Sequence, residues 1–206
     1  MKWCTFTCFL LVCGLLLSPY RTASAAGETF TESVVIFNTV CAKCHEAQCS
    51  GRLSFDDALT ESTNHIVRHY GEASGKQWLQ KELFDILNHM KEKCAYYPMN
   101  TPVPLAREWG SDILDKLSTL LERNYFIPVG NFAPGSYRID LELEQDSKLT
   151  AHMITEEFDM IIEDCYESSN RQISIPFEVE SSGIHYLRFY PRSPVRITKL
   201  SILGSE

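Results

Sequence analysis

The segment Cys41-Ala42-Lys43-Cys44-His45 carries the most chemistry in this sequence. Two thiols three residues apart can add across both vinyl groups of one porphyrin, and the adjoining histidine can bring its imidazole beneath the iron. The spacing C-x-x-C-H therefore predicts one covalently attached haem c, held by Cys41 and Cys44, with His45 as the proximal ligand. Three other uses of these thiols compete. A thioredoxin-like pair needs a preceding strand, which this helical stretch lacks. A zinc site could draw on Cys41, Cys44, Cys49 and Cys94, but its second pair lacks knuckle spacing. A plain Cys41–Cys44 disulfide is the third.

A sixth iron ligand must come from further along. Met99 follows Pro98 and precedes the last expected helix, and a thioether there would raise the potential relative to a second imidazole. The alternatives are Met90, His65, His69 and His89, or an open position. Met90 lies at the centre of an apolar helical face and reads equally as core packing. His89 lies off that face. His65 and His69 form an i, i+4 pair that could reach one metal, a spacing equally common on an exposed helix.

The elements around these residues divide the chain. From Glu28 to Arg123 apolar residues recur at helical spacing. Phe30 to His45 reads as one helix with Thr31 as a candidate N-cap, and Gly75 to Cys94 as a second. The second buries Leu79, Leu83, Ile86, Leu87, Met90 and Cys94 on one face. A third begins near Leu105, or at Ser111, and buries Trp109, Ile113, Leu117, Leu120 and Leu121. Pro98, Pro102 and Pro104 separate the last two. Beyond Asn124 the pattern alternates: Tyr137, Ile139, Leu141 and Leu143 face one way, and Ile173, Ile175, Phe177 and Val179 repeat it. Further strands are expected at Leu149–Thr155, Phe158–Glu163, Ile184–Tyr190 and Val195–Leu203. This predicts a two-domain chain: an all-α haem domain over 26–123, then an antiparallel, jelly-roll-like β-sandwich over 124–206.

On these residues the first half resembles a class I c-type cytochrome domain. Cys41-Ala-Lys-Cys44-His45 matches the attachment motif, Tyr97-Pro98-Met99 the ligand loop, and the helix through Trp109 to Leu121 the closing helix. Glu46 departs from the glycine that often follows the histidine in that family. The second half is similar in pattern to galactose-binding-like accessory jelly rolls, through Gly183-Ile-His-Tyr-Leu-Arg-Phe-Tyr-Pro and Val195-Arg-Ile-Thr-Lys-Leu-Ser-Ile. Tyr186, Phe189 and Tyr190 could stack on a sugar face, although strand aromatics are usually core. Trp78, Tyr96, Tyr97 and Trp109 suit either a porphyrin edge or helix packing.

Residues 1–25 read as a cleaved export signal: Lys2 in the n-region, an apolar run from Thr5 to Leu17, and Ala23-Ser24-Ala25 at the cleavage site. The mature chain would reach the periplasm with 17 basic against 27 acidic side chains, a net charge of −10. It would keep five cysteines, Cys41, Cys44, Cys49, Cys94 and Cys165. Cys49 and Cys94 can pair or remain buried thiols, and Cys165 reads as a small buried hydrophobe. An acidic chain is a poor phosphate-backbone binder, which argues against nucleic acid, and no second apolar run approaches membrane length. The leading expectation is a non-enzymatic electron carrier that docks on redox partners with basic surfaces, its β domain serving for docking or binding. The other readings are a haem enzyme or gas sensor with an open sixth site, and a partner- or glycan-binding module with a tethered haem relay.

Overall fold

A computed structural model describes residues 26–49, 51 and 58–204. The expected export signal over 1–25 lies outside the described residues. Helix α1 (Ala26–Ile36) passes through a π-helical turn (Phe37–Cys41) into the short α2 (Ala42–His45). Thr31 sits within α1 rather than capping it. Asn38 Nδ2 donates to the Val34 carbonyl at 2.9 Å and Thr39 Oγ1 to that of Val35 at 2.8 Å. The second bond satisfies the Thr39 hydroxyl as a donor, whereas the buried Asn38 Oδ1 has no partner among the described residues. Helix α3 (Ala58–His69) and α4 (Gln77–Lys93) follow. Leu79, Leu83, Ile86 and Met90 of α4 are buried, as their spacing predicts. Cys94 ends α4 in a left-handed conformation (φ 52°) and is disulfide-bonded to Cys49.

The expected third helix forms only in shortened form, from Ser111, with Leu117 buried as expected. Residues Glu108–Gly110 are a strand, β1, followed by a single turn of helix, α5 (Ser111–Leu114), and a 3-10 turn (Asp115–Leu117). Trp109 is fully buried and lies opposite Leu200 of a late strand, whereas Leu120 and Leu121 are 76% and 62% exposed. The apolar spacing across this stretch was therefore shared between a strand and a solvent-facing turn. Arg107 and Arg123, both at positive φ, mark its two ends.

Seven further strands complete the fold: β2 (Tyr125–Phe132), β3 (Gly135–Leu143), β4 (Lys148–Thr155), β5 (Met160–Glu167), β6 (Gln172–Val179), β7 (Gly183–Pro191) and β8 (Ile197–Gly204). They form two antiparallel sheets ordered β1-β8-β3-β6 and β2-β7-β4-β5. The inner faces pack Ile139, Leu141, Ile175, Met153, Leu187 and Phe189 against one another. One hydrophobic cluster runs without a break from Val34, Phe37 and Leu83 of the helices to Phe126, Leu187 and Ile202 of the sheets. The helical segments thus cover the β2 part of the second sheet's outer face, which explains the unbroken apolar run Tyr125–Val129 in β2. This corrects the expectation of an all-α, cytochrome-like domain. The helical segments share their core with a β-sandwich, and the sequence from 26 to 123 contributes a strand to it. Among the described residues no helix is long and apolar enough to cross a membrane.

Candidate functional site

Antiparallel pairing places side chains in rows across the second sheet. Glu163 of β5 lies opposite His152 of β4, and His152 opposite Arg188 of β7. One step along, Cys165 lies opposite Thr150, and Thr150 opposite Tyr190. Directly opposed residues point to the same face, as do residues two apart on a strand. All six therefore stand on the outer face, beside the helical segment. Where α2 passes over that face it leaves a cleft of about 490 Å³, walled by Ala42, Lys43, Cys44 and Glu46 and floored by Thr150, His152, Met160, Glu163, Arg188 and Tyr190.

The clamp at one end of the cleft is ionic. Arg188, 2% exposed, donates from Nη2 to Glu46 Oε1 at 2.6 Å, and Tyr96 Oη donates to the same oxygen at 2.8 Å. Burial, the largest single effect, weakens the charge on Arg188, but the Glu46 hydrogen bond together with the electrostatic pull of Tyr96, Glu46 and Tyr190 outweighs it and holds the guanidinium protonated. Burial also pushes the Tyr96 phenol far above its ordinary range, with Arg188 opposing and Glu46 adding to the rise. His152 is held below the usual imidazole value, first by burial and then by Arg188, so its ring is neutral at neutral pH. Tyr190 presents a half-buried ring that meets His152 edge-on at 5.3 Å between centroids. The Lys43 ammonium lies 5.1 Å from the centroid of the same ring. An exposed cation–π contact is worth about 0.5–1 kcal/mol, weak enough for a ligand to displace.

Of the three strand aromatics considered for sugar stacking, only Tyr190 lines the cleft. Phe189 is buried between the sheets, and Tyr186 lies under Tyr96 (4.4 Å) and against Phe126 (5.3 Å, near-parallel). A larger hollow of about 870 Å³ opens between α1 and α5, with Tyr70 as its one ring. Its Asp115 is already engaged by Arg123 and Arg196, which leaves fewer free groups to meet a ligand.

The residues expected to hold haem are placed differently from that reading. Cys41 packs against the hydrophobic core, and burial, with a smaller contribution from Cys44, pushes its thiol up to about 12. Cys44 is exposed. His45 Nδ1 is hydrogen-bonded to Gln48 Oε1 at 2.9 Å, and its ring lies 5.6 Å from that of His65, which in turn lies 4.5 Å from His69. His65 is held below the ordinary imidazole value by burial, then by His69, His45 and Arg68. Met90 is buried in the α4 face, Met99 packs on the core, and His89 meets the Tyr97 ring at 4.9 Å. Trp78 is partly exposed on α4, and Tyr97 also packs on Phe30.

Among the described residues, no group of three His, Cys, Asp or Glu side chains is arranged to hold a metal. With the core turned toward Cys41, the methionines used in packing and no all-α haem fold, these residues do not fit a haem c. The cytochrome resemblance, the electron-carrier function and the redox partners inferred from it are corrected accordingly. Sequence reasoning missed Arg188 and His152 as site residues; their only mark was an outward position in alternating strands.

The chain matches no family model, and no curated protein matches its sequence. Solved structures that resemble parts of it include a family GH115 4-O-methyl-α-glucuronidase with specificity for decorated arabinogalactans. The TM-score is 0.34 and the identity 15%, over 73% of this chain and 25% of that one. A family 35 carbohydrate-binding module from Clostridium thermocellum gives 0.33 and 14%, over 47% of this chain and 97% of the module. A family 29 carbohydrate-binding module mutant complexed with cellulohexaose gives 0.29 and 16%, over 40% and 62%. The chain spans a quarter of the length of the glucuronidase. At these scores the likeness assigns nothing, and the functional argument rests on the cleft.

Proposed function

We propose that this protein binds a glycan in the cleft between α2 and the outer face of β4, β5 and β7. The observation that carries the reading is the row Thr150–Tyr190 beside the row Glu163–His152: a half-buried aromatic ring lining the cleft, flanked by a hydroxyl, a carboxylate and a neutral imidazole. A pyranose has an apolar C–H face and a rim of hydroxyls. Tyr190 suits the face, and Glu163, His152 and Thr150 can accept from or donate to the rim. On this reading the protein acts by binding rather than turnover, and residues 1–25 direct it to the periplasm.

The test is affinity electrophoresis through gels containing individual soluble polysaccharides, followed by calorimetry on any that retard the protein. Tyr190→Ala is expected to lower affinity roughly tenfold, since loss of one aromatic contact is worth about 0.5–1.5 kcal/mol beyond the area it buries. Tyr190→Phe, which keeps the ring, should retain most of it. A parent protein retarded by no polysaccharide, or an alanine variant that binds as the parent does, refutes the proposal.

A further inference from the structure

We infer that Cys41 and Cys44 form a reversible dithiol–disulfide couple, with Cys44 as the attacking thiol and Cys41 as the resolving one. This does not depend on glycan binding. Both cysteines are free, while the neighbouring Cys49 is already bonded to Cys94. Cys41 has right-handed helical geometry (φ −74°, ψ −36°) and begins the turn in which Cys44 lies. Helical residues three apart have Cα atoms about 5 Å apart, inside the ~4.4–6.8 Å span of disulfides, and their Cβ atoms lie on one face. The bond can therefore close without unwinding the turn.

Exposure sets the order of events. Cys44 is exposed and opens onto the cleft beside Lys43, whereas Cys41 is half-buried against the core. The Cys44 thiolate attacks a sulfur of a low-molecular-weight disulfide, forming a mixed disulfide and releasing one thiolate, which takes up a proton. The Cys41 thiolate, its proton passed to solvent, then attacks the Cys44 sulfur and releases the second thiol. The two cysteines lose two electrons and two protons in total, and the external disulfide becomes two thiols. The neighbouring thiol makes the second step intramolecular, so the adduct is short-lived.

The experiment equilibrates the full chain with glutathione and its disulfide at graded ratios, quenches with acid, alkylates with a maleimide and maps the peptides by mass. Cys41 and Cys44 should lose alkylation together with a single midpoint, while Cys165 follows its own course and Cys49–Cys94 stays closed. In Cys41→Ser the glutathione adduct on Cys44 should persist at least about tenfold longer than in the parent. The inference is overturned if the parent accumulates adduct on Cys44 with Cys41 still alkylatable. It is equally overturned if both thiols alkylate at the most oxidising ratio, or if they neither alkylate nor pair. Mapping of the parent decides the question even if the serine variant does not fold.

Discussion

Replacing Arg188 by methionine tests whether the clamp between α2 and the second sheet holds the helices in place. The guanidinium side chain is 3% exposed and its partner Glu46 is 23% exposed. Removing one member of a buried ion pair costs about 3–5 kcal/mol, because the other charge remains without its partner. Partial hydration of Glu46 argues for the lower end, about 3 kcal/mol, and Arg188 Nε, which has no partner among the described residues, works in the same direction. For a chain of this length that corresponds to a fall in melting temperature of roughly 6–12 °C, read by circular dichroism. Glu46→Gln on the Arg188→Met background removes the stranded carboxylate while leaving an acceptor for Tyr96. The double variant should therefore regain about 1–2 kcal/mol relative to Arg188→Met. A single variant melting within about 2 °C of the parent, or a strictly additive cycle, would refute the clamp.

Two other consequences can be measured directly. The Cys49–Cys94 bond closes a separation of 45 residues, and Cys49→Ser/Cys94→Ser should lower unfolding free energy in urea by about 4 kcal/mol; an unchanged midpoint would contradict this. Asp115 receives hydrogen bonds from Arg196 and from Arg123 (3.1 Å), and the Arg196 bond, ahead of the opposing effect of burial, holds its carboxyl below the ordinary 3.8. A depressed folded value stabilises the fold above the unfolded value, so the parent's advantage over Asp115→Asn is complete above pH 3.8 and drains away as pH falls below it. Denaturation curves from pH 7 down to pH 2 would show the two proteins converging, and a constant difference would count against the assignment.

Much of the sandwich is legible because its strands bury one face only. Ile173, Ile175, Phe177 and Val179 alternate strictly with exposed residues, and the observed β6 does the same. Helix α4 was readable for the same reason at the helical period. Strand β2 escaped because helices cover its outer face, so both faces are apolar and no alternation survives. Strand β1 is three residues long, too short for any period, and its register is fixed by β8 some ninety residues later. Of the cleft, the sequence marked Tyr190 and also Cys44, the latter read for haem rather than for a cleft. Its walls and floor come from segments between Ala42 and Tyr190, and the opposition of His152 to Arg188 follows from register alone. C-x-x-C-H misled because its spacing fits a helical turn whatever the thiols do, and local spacing does not say which way the core lies.

The position of β8 has a bearing on how the protein is made. It lies between β1 and β3 in its sheet, yet it is synthesised after both. While the chain emerges, β3 can pair with β6, but β1, with Trp109 at its centre, has no strand to pair with until residues 197–204 appear. Open strand edges of this kind invite pairing with other chains, and contacts so distant in sequence form slowly. Closure of this sheet therefore waits until residues 197–204 have been made.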